Sequence, residues 1–323
     1  MNTAAQVVTR SARLMGGTVG VHIRTTATGA PADADRTEAT ARADRDAERT
    51  LRRIGRWADR LTRFSDRSDL AHLNASASPT PEVRPTLGAL LAWGRSAAEL
   101  TDGIVDVTLL EARLRAETGP SGSGMQAGET DAVGRSWSMR THRRGASIAR
   151  SPGFRFDLDG VGKGWLADRA VALLDHQPAA AVDADGDIAI SLCYGETWRF
   201  GIASPVDGAA DLATLELSGL APLERQSFGL ATSGTSIHRW RSPSGDSHHL
   251  IDPRTGRPAV TDVVQATVLA ASAAEAEAFA KAVVILGSHD SLRLLDRAAL
   301  GGTVLFTERG EILATPSFTR WLA

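Results

Sequence analysis

Between His249 and Pro258 the chain sets an imidazole, a carboxylate, a guanidinium and a hydroxyl within a few residues: His249, Asp252, Arg254 and Thr255. Asp252-Pro253 and Thr255-Gly256 are turn-forming pairs, so this is loop rather than helix. Such a loop can aim several polar groups at one point, and an imidazole that titrates near neutrality suits proton abstraction. A second segment, Asp157-Leu158-Asp159-Gly160-Val161-Gly162-Lys163-Gly164, passes through glycines into a helix. Free N–H groups at a helix start attract phosphate, and Lys163 adds a full positive charge. Its spacing is neither the triphosphatase loop nor the dinucleotide fingerprint. Asp102-Gly103-Ile104-Val105-Asp106 places two carboxylates around an apolar pair. Asp183-Ala184-Asp185-Gly186-Asp187 follows a strand pattern with three carboxylates, and Thr232-Ser233-Gly234 follows another with two hydroxyls. Taken singly, each has an ordinary reading as a turn, a helix stop or a solvated face.

The elements that must position these groups follow from periodicity. Val19–Thr25 alternates and predicts a strand after a Gly16-Gly17 turn, with a polar connector at Ala27–Asp35. Ala47, Leu51, Ile54, Ala58 and Leu61 recur at helical spacing, and a second helix is predicted from Thr86 to Leu100. Gly119–Gly128 reads as a flexible Gly/Ser loop. Phe154–Leu158 reads as a strand and Gly164–Leu174 as a helix. Short strands are predicted at Ala180–Val182, Asp187–Leu192, Trp198–Ile202, Leu212–Leu217, Phe228–Ala231 and Ala266–Ala271. A helix from Ala273 to Leu286 and a hairpin of Thr303–Phe306 with Ile312–Ala314 complete the pattern. The order implies α+β, with mixed sheets and packed helices.

The chain has 323 residues, 42% hydrophobic and 23% charged, which is enough to bury a sizeable core. A net charge of −2 and no long basic run argue against a nucleic-acid surface. The single cysteine, Cys193, rules out an intramolecular disulfide framework and reads as a core thiol in an apolar run. No apolar run reaches membrane-spanning length. Met1–Arg13 lacks an apolar stretch followed by a cleavage site or a lipid-attachment cysteine, so the expectation is a cytoplasmic protein.

The segments above occur in a telling order. Met15-Gly16-Gly17-Thr18 comes first, then Phe64-Ser65-Asp66-Arg67 running on to Leu73-Asn74, and Asp102–Asp106. Asp157–Gly164 with Asp168, Asp185–Ile188, Thr232–Gly234, His249–Gly256 and the helix Ala273–Gly287 follow. In this order the chain resembles the ApbE family, the FAD:protein FMN transferases. The resemblance implies a T-fold-like flavin transferase architecture: one unit over residues 1–323, with two lobes and the FAD site between them. It implies that FAD is split at its pyrophosphate and FMN is attached by a phosphoester to a Thr or Ser of an acceptor flavoprotein, with AMP leaving. By position, His249 and Asp252 would be catalytic. Met15, Arg67, Ile104, Val105, Asp106, Asp157, Lys163, Ser233, Ile251 and Arg254 would hold FAD. His248 is the alternative register for His249, and Arg67 stands where many members have Tyr.

The family also implies Mg²⁺, held by an Asp and a Thr one helical turn apart and by a carbonyl of the glycine turn. Here those positions are Glu277, Lys281 and Gly160. A protonated lysine is no ligand. Either Glu277 and Lys281 form a surface i,i+4 pair of about 0.3–0.5 kcal/mol, or the ammonium supplies charge beside the pyrophosphate. A Mg²⁺ site of Glu277, the Gly160 carbonyl, phosphate and water is the third possibility. Two further activities share the same residues: hydrolysis of FAD to FMN and AMP, and FAD binding without catalysis.

Overall fold

The computed structural model describes residues 6–25, 33–118, 137–151, 155–206, 210–220, 224–236, 239–242, 245–297 and 301–323. Its main sheet holds eight strands that lie side by side in chain order. They are β1 (Val7–Leu14), β2 (Gly17–Arg24), β3 (Ala179–Ala184), β4 (Asp187–Leu192), β5 (Gln226–Gly234), β6 (Val263–Ala270), β7 (Gly302–Thr307) and β8 (Ile312–Ala314). The helices are α1 (Asp33–Leu61), α2 (Asp69–Ala75), α3 (Pro85–Leu100), α4 (Leu110–Thr118), α5 (Lys163–Val171) and α6 (Ala273–Asp290). This is the expected α+β class. The expected mixture of strand directions is corrected, since each pair in the sheet is antiparallel. Each connection returns beside its own strand in the opposite sense, whether by a tight turn or by a long excursion.

Two of those turns explain sequence motifs. Met15-Gly16 joins β1 to β2 with φ of 54° and 80°, and Asp185-Gly186 joins β3 to β4 with φ of 63° and 96°. Two left-handed residues match the twist of the flanking strands. Gly bears that conformation freely, whereas Met15 costs about 1–2 kcal/mol there. Pairing of Val19 with Ala184 sets the two turns next to each other. A Cβ on Gly17 would lie 2.2 Å from the Asp185 carboxyl carbon, and Thr18 N donates to Asp185 Oδ1 at 3.3 Å. Gly16 therefore makes the turn and Gly17 makes room for Asp185.

Alternation along the strands divides the core. Val19, Val21, Ile23, Ala180 and Val182 face Ala47, Leu51 and Ile54 of α1 and Ala167 and Ala170 of α5. Ala181, Ile190, Phe228 and Leu230 face the other way, against Ile202, Leu215, Leu217 and Phe318. The covering hairpin is Thr197–Ile202 with Ala213–Ser218. α1 begins at Asp33, well before the predicted apolar stripe. Its leading turns are Ala, Arg and Glu, which favour helix, with Glu38–Arg42 and Glu48–Arg52 one turn apart. The Gly/Ser loop at 119–128 lies outside the described residues, as does most of the expected connector at 27–35.

α5 and α6 meet at their N-termini. A Cβ on Gly164 would lie 2.4 Å from Ala273 O, and one on Gly229 of β5 would lie 1.9 Å from the Ser272 carbonyl carbon. Asp168 of α5 accepts from Ala273 N and Ala274 N, both at 2.9 Å. Glu277 of α6 accepts from Gly164 N at 3.0 Å. Each helix thus caps the other.

Residues 155–158 are extended but pair with no strand, which corrects the expected strand at Phe154–Leu158. A side chain takes the place of a neighbouring strand. Asn74 Nδ2 donates to Phe156 O at 2.9 Å and Phe156 N donates to Asn74 Oδ1 at 2.8 Å. Asn74→Ala strands both buried backbone groups, so it should cost about 2–4 kcal/mol in urea unfolding. Asn74→Asp should cost as much, because a carboxylate cannot donate to Phe156 O. A loss below about 0.5 kcal/mol in either variant would show that other contacts hold the segment.

Candidate functional site

A cleft opens where the loop after α3, the glycine turn and the His249 loop converge on α6. Ile104, Val105, Asp106, Asp157, Gly160, His249, Ile251 and Lys281 all line it.

The first wall comes from a helix stop. Thr101 Oγ1 donates to Ala97 O at 2.7 Å and accepts from Val105 N at 3.0 Å. Asp102 and Gly103 take φ of 51° and 80°. This closes α3 and turns Ile104–Asp106 into the cleft. The Asp106 carboxylate accepts from Thr108 N and Thr108 Oγ1, both at 2.8 Å. Burial raises its pKa against those two bonds.

The second wall is the glycine turn. Asp157 N donates to Val107 O at 2.8 Å, which ties this wall to the first. Burial, with Asp159 next to it, pushes the Asp157 carboxyl up to about 6.

The third wall carries the imidazole. His248 Nδ1 accepts from Leu250 N at 3.3 Å, so its Nε2 bears the proton and donates to Ala259 O at 3.0 Å. His248 is a strut of the loop, and His249 is the histidine in the cleft wall. Arg113 of α4 also lines the cleft and donates to His249 O at 3.2 Å. Arg113 Nε meets Glu117 at 2.6 Å, Arg63 Nη2 meets the same carboxylate at 2.9 Å, and Arg63 Nε meets Asp159 at 3.2 Å. This chain of charges links the His249 loop to the glycine turn.

Other predicted residues lie off the cleft wall. Arg254 Nε lies 2.9 Å from Asp252 Oδ1 and its Nη2 2.8 Å from Oδ2. Asp252 and Arg254 thus hold one another within the loop. Lys163 Nζ stands 3.6 Å from Asp185 and 3.8 Å from Asp187. Burial opposes its charge, yet Asp187, Glu277 and Asp185 together raise its pKa. Met15 sits in its turn against the core, Arg67 is exposed, and Ser233 is half-buried on β5. Arg63, Arg113 and Asp159 were not singled out from the sequence. The Arg63 pairings and the Arg113 bond to His249 O reach across tens of residues, and the local Arg113–Glu117 pair is an ordinary helix pattern.

A family model described as "ApbE family" matches residues 15–306. The chain belongs to the ApbE family. Among curated ApbE relatives, a protein of Escherichia coli K12 is 28% identical over 177 residues, 53% of this chain and 46% of that one. A protein of Treponema pallidum is 34% identical over 155 residues, 44% of this chain and 41% of that one. Both are named FAD:protein FMN transferase, and the match spans less than half of either. The solved ApbE protein of Thermotoga maritima superposes with a TM-score of 0.75 at 22% identity, over 98% of this chain and all of that one. That likeness bears out the expected fold.

The family's Mg²⁺ does not fit these residues. Lys281 Nζ lies against Gly160, where a Cβ would be 2.1 Å away. Glu277 is turned to Gly164 N. Among the described residues no three His, Cys, Asp or Glu side chains gather as a metal site. The surface-pair reading of Glu277 and Lys281 also fails, because Glu277 is buried and Lys281 lines the cleft.

The caps carry a pH signature. Burial lifts the Asp168 carboxyl to about 6 despite its bonds from Ala274 and Ala273. The unfolded chain releases that proton near pH 4 and the folded chain near 6. Stability from this group is therefore greatest below about pH 4, falls as pH rises towards 6, and is flat above. Asp168→Asn keeps one acceptor and removes the titration. The stability of wild type relative to Asp168→Asn should be higher at about pH 4.5 than at about pH 7.5. Equal differences at the two pH values in urea unfolding would place the Asp168 carboxyl in the ordinary range.

Proposed function

We propose that this chain transfers the FMN half of FAD to a hydroxyl of an acceptor flavoprotein. The observation that carries the reading is the place of His249. His249 lines the same cleft as Ile104–Asp106 and the Asp157–Gly160 turn. Family membership and the names of the relatives supply the flavin chemistry. In the reading, Ile104, Val105, Asp106, Asp157 and Ile251 wall the FAD site.

The step is a phosphoryl transfer. His249 takes the proton of an acceptor Thr or Ser hydroxyl, and that oxygen bonds to the phosphorus on the FMN side. The bond from that phosphorus to the bridging oxygen breaks, and AMP leaves with the oxygen. Positioning and charge neutralisation dominate such reactions, and a general base adds its share. The Arg113 bond to His249 O helps fix the imidazole relative to the Asp157 turn, as the geometry of a base requires.

Mixing the protein with FAD and a candidate acceptor, then measuring acceptor mass and released AMP, tests the reading. An FMN-sized adduct on Ser or Thr with AMP in equal amount is expected. Free FMN and AMP without adduct would make the protein a hydrolase, and intact FAD would make it a binder. His249→Ala should keep FAD affinity and slow transfer at least about 100-fold, because a base acts in the transition state. His248→Ala should cost about 1–2 kcal/mol of stability and retain the chemistry. Wild-type transfer by His249→Ala would remove His249 from the mechanism.

A further inference from the structure

We propose that the Lys281 ammonium is the built-in cation of the pyrophosphate site, so that this chain binds its dinucleotide without a divalent metal. The proposal rests on the flavin transferase reading for the identity of the dinucleotide, but the anion site itself stands on geometry. Lys281 lines the cleft beside Asp157, Gly160 and His249. Its Nζ takes the space over Gly160 that any side chain at that position would need. A side chain at 160 would displace the Lys281 amine from this place.

The charge on Lys281 is not used up by the protein. No salt bridge joins it to a carboxylate among the described residues. Glu277, one turn earlier on α6, gives its oxygen to Gly164 N, and Asp187 faces Lys163 at 3.8 Å. These carboxylates still act through space: burial lowers the Lys281 pKa, while Glu277, Asp187 and Asp157 work against that. Burial outweighs them, so the Lys281 pKa is lowered on balance, and the amine lies at the cleft wall with carboxylates behind it. An ammonium has three donors and no acceptor, so it serves phosphate oxygens and excludes a second cation from the same place.

α5 cannot supply that charge instead. Its first N–H groups are already met by Glu277, so the positive end of the helix is neutralised within the fold. Lys163 is likewise committed to Asp185 and Asp187. Arg113, the other cation of the cleft wall, is taken by Glu117 and by His249 O, which leaves Lys281 among the described residues that line the cleft.

The test measures binding of FAD and of inorganic pyrophosphate to the wild type, Lys281→Met and Lys281→Thr, each with EDTA and with Mg²⁺. Circular dichroism first confirms that the variants fold; Met is nearly as good a helix former as Lys. The wild type should bind both ligands equally well in EDTA and in Mg²⁺. Lys281→Met should lose about tenfold or more, as for a lost charge-assisted contact. Lys281→Thr should lose as much in EDTA and regain part of it with Mg²⁺. Electron paramagnetic resonance of added Mn²⁺ should show a bound ion in Lys281→Thr with pyrophosphate and none in the wild type. Wild-type binding that collapses in EDTA would overturn the proposal. So would wild-type affinity in Lys281→Met, or Mn²⁺ bound to the wild type. Lys281-dependent pyrophosphate binding without FAD binding would keep the anion site and overturn the flavin reading instead.

Discussion

The structure turns on two carboxylates exchanged between two helices. Asp168 of α5 caps α6 and Glu277 of α6 caps α5. Neither bond forms unless the helices approach to near backbone contact, which Gly164 and Ala273 allow. Once they do, the glycine turn entering α5 and the side chains one turn down α6 have fixed relative positions. The cleft inherits its geometry from that crossing. Lys281 meets Gly160 because Glu277 meets Gly164: four residues forward along the glycine turn match four residues back along α6.

That arrangement places charge where few charges are tolerated. Asp187 and Glu277 are both nearly inaccessible. Burial drives both carboxyl pKa values up, with Asp187 also raised by Glu277 and each held back by Lys163 and Lys281. A buried ionic cluster is weak support for stability, since desolvation offsets most of the attraction. Of its four members Lys281 alone lines the cleft; Lys163, Asp187 and Glu277 stand behind it.

Much of this was legible in the residues, for reasons that differ by element. Strand alternation and the α6 pattern were local signals, so Asp187–Leu192 and the start at Ala273 were read correctly. His249 was separable from His248 by its distance from Asp252, and the cleft agrees. Residues 155–158 looked like a strand because their pattern was right, but the partner is the Asn74 side chain, which no periodicity reveals. Asp252 and Arg254 looked like two site residues. Two residues apart in a tight turn, they bond to each other. For Glu277 and Lys281 the sequence left a surface pair and a charge beside the pyrophosphate both open, because spacing alone carries no burial. Small residues throughout α6 were the sign that its whole circumference is enclosed.

The walls of the cleft differ in stiffness. The floor is α6, packed against β5 and β6 through alanines and Gly229, where a shift of a few tenths of an ångström meets backbone. The tie between the His249 loop and the glycine turn is a relay of ion pairs from Arg113 through Glu117 and Arg63 to Asp159. Asp159, at its end, is exposed. That last pair touches solvent, and such pairs are worth at most about 1 kcal/mol and weaken with salt. In the proposed reading Lys281, the cation for phosphate, therefore sits on the rigid side and His249, the proton acceptor, on the adjustable side. For a reaction that must admit both a dinucleotide and a protein hydroxyl, that division lets the anchored phosphates stay in place while the imidazole wall adapts to the acceptor.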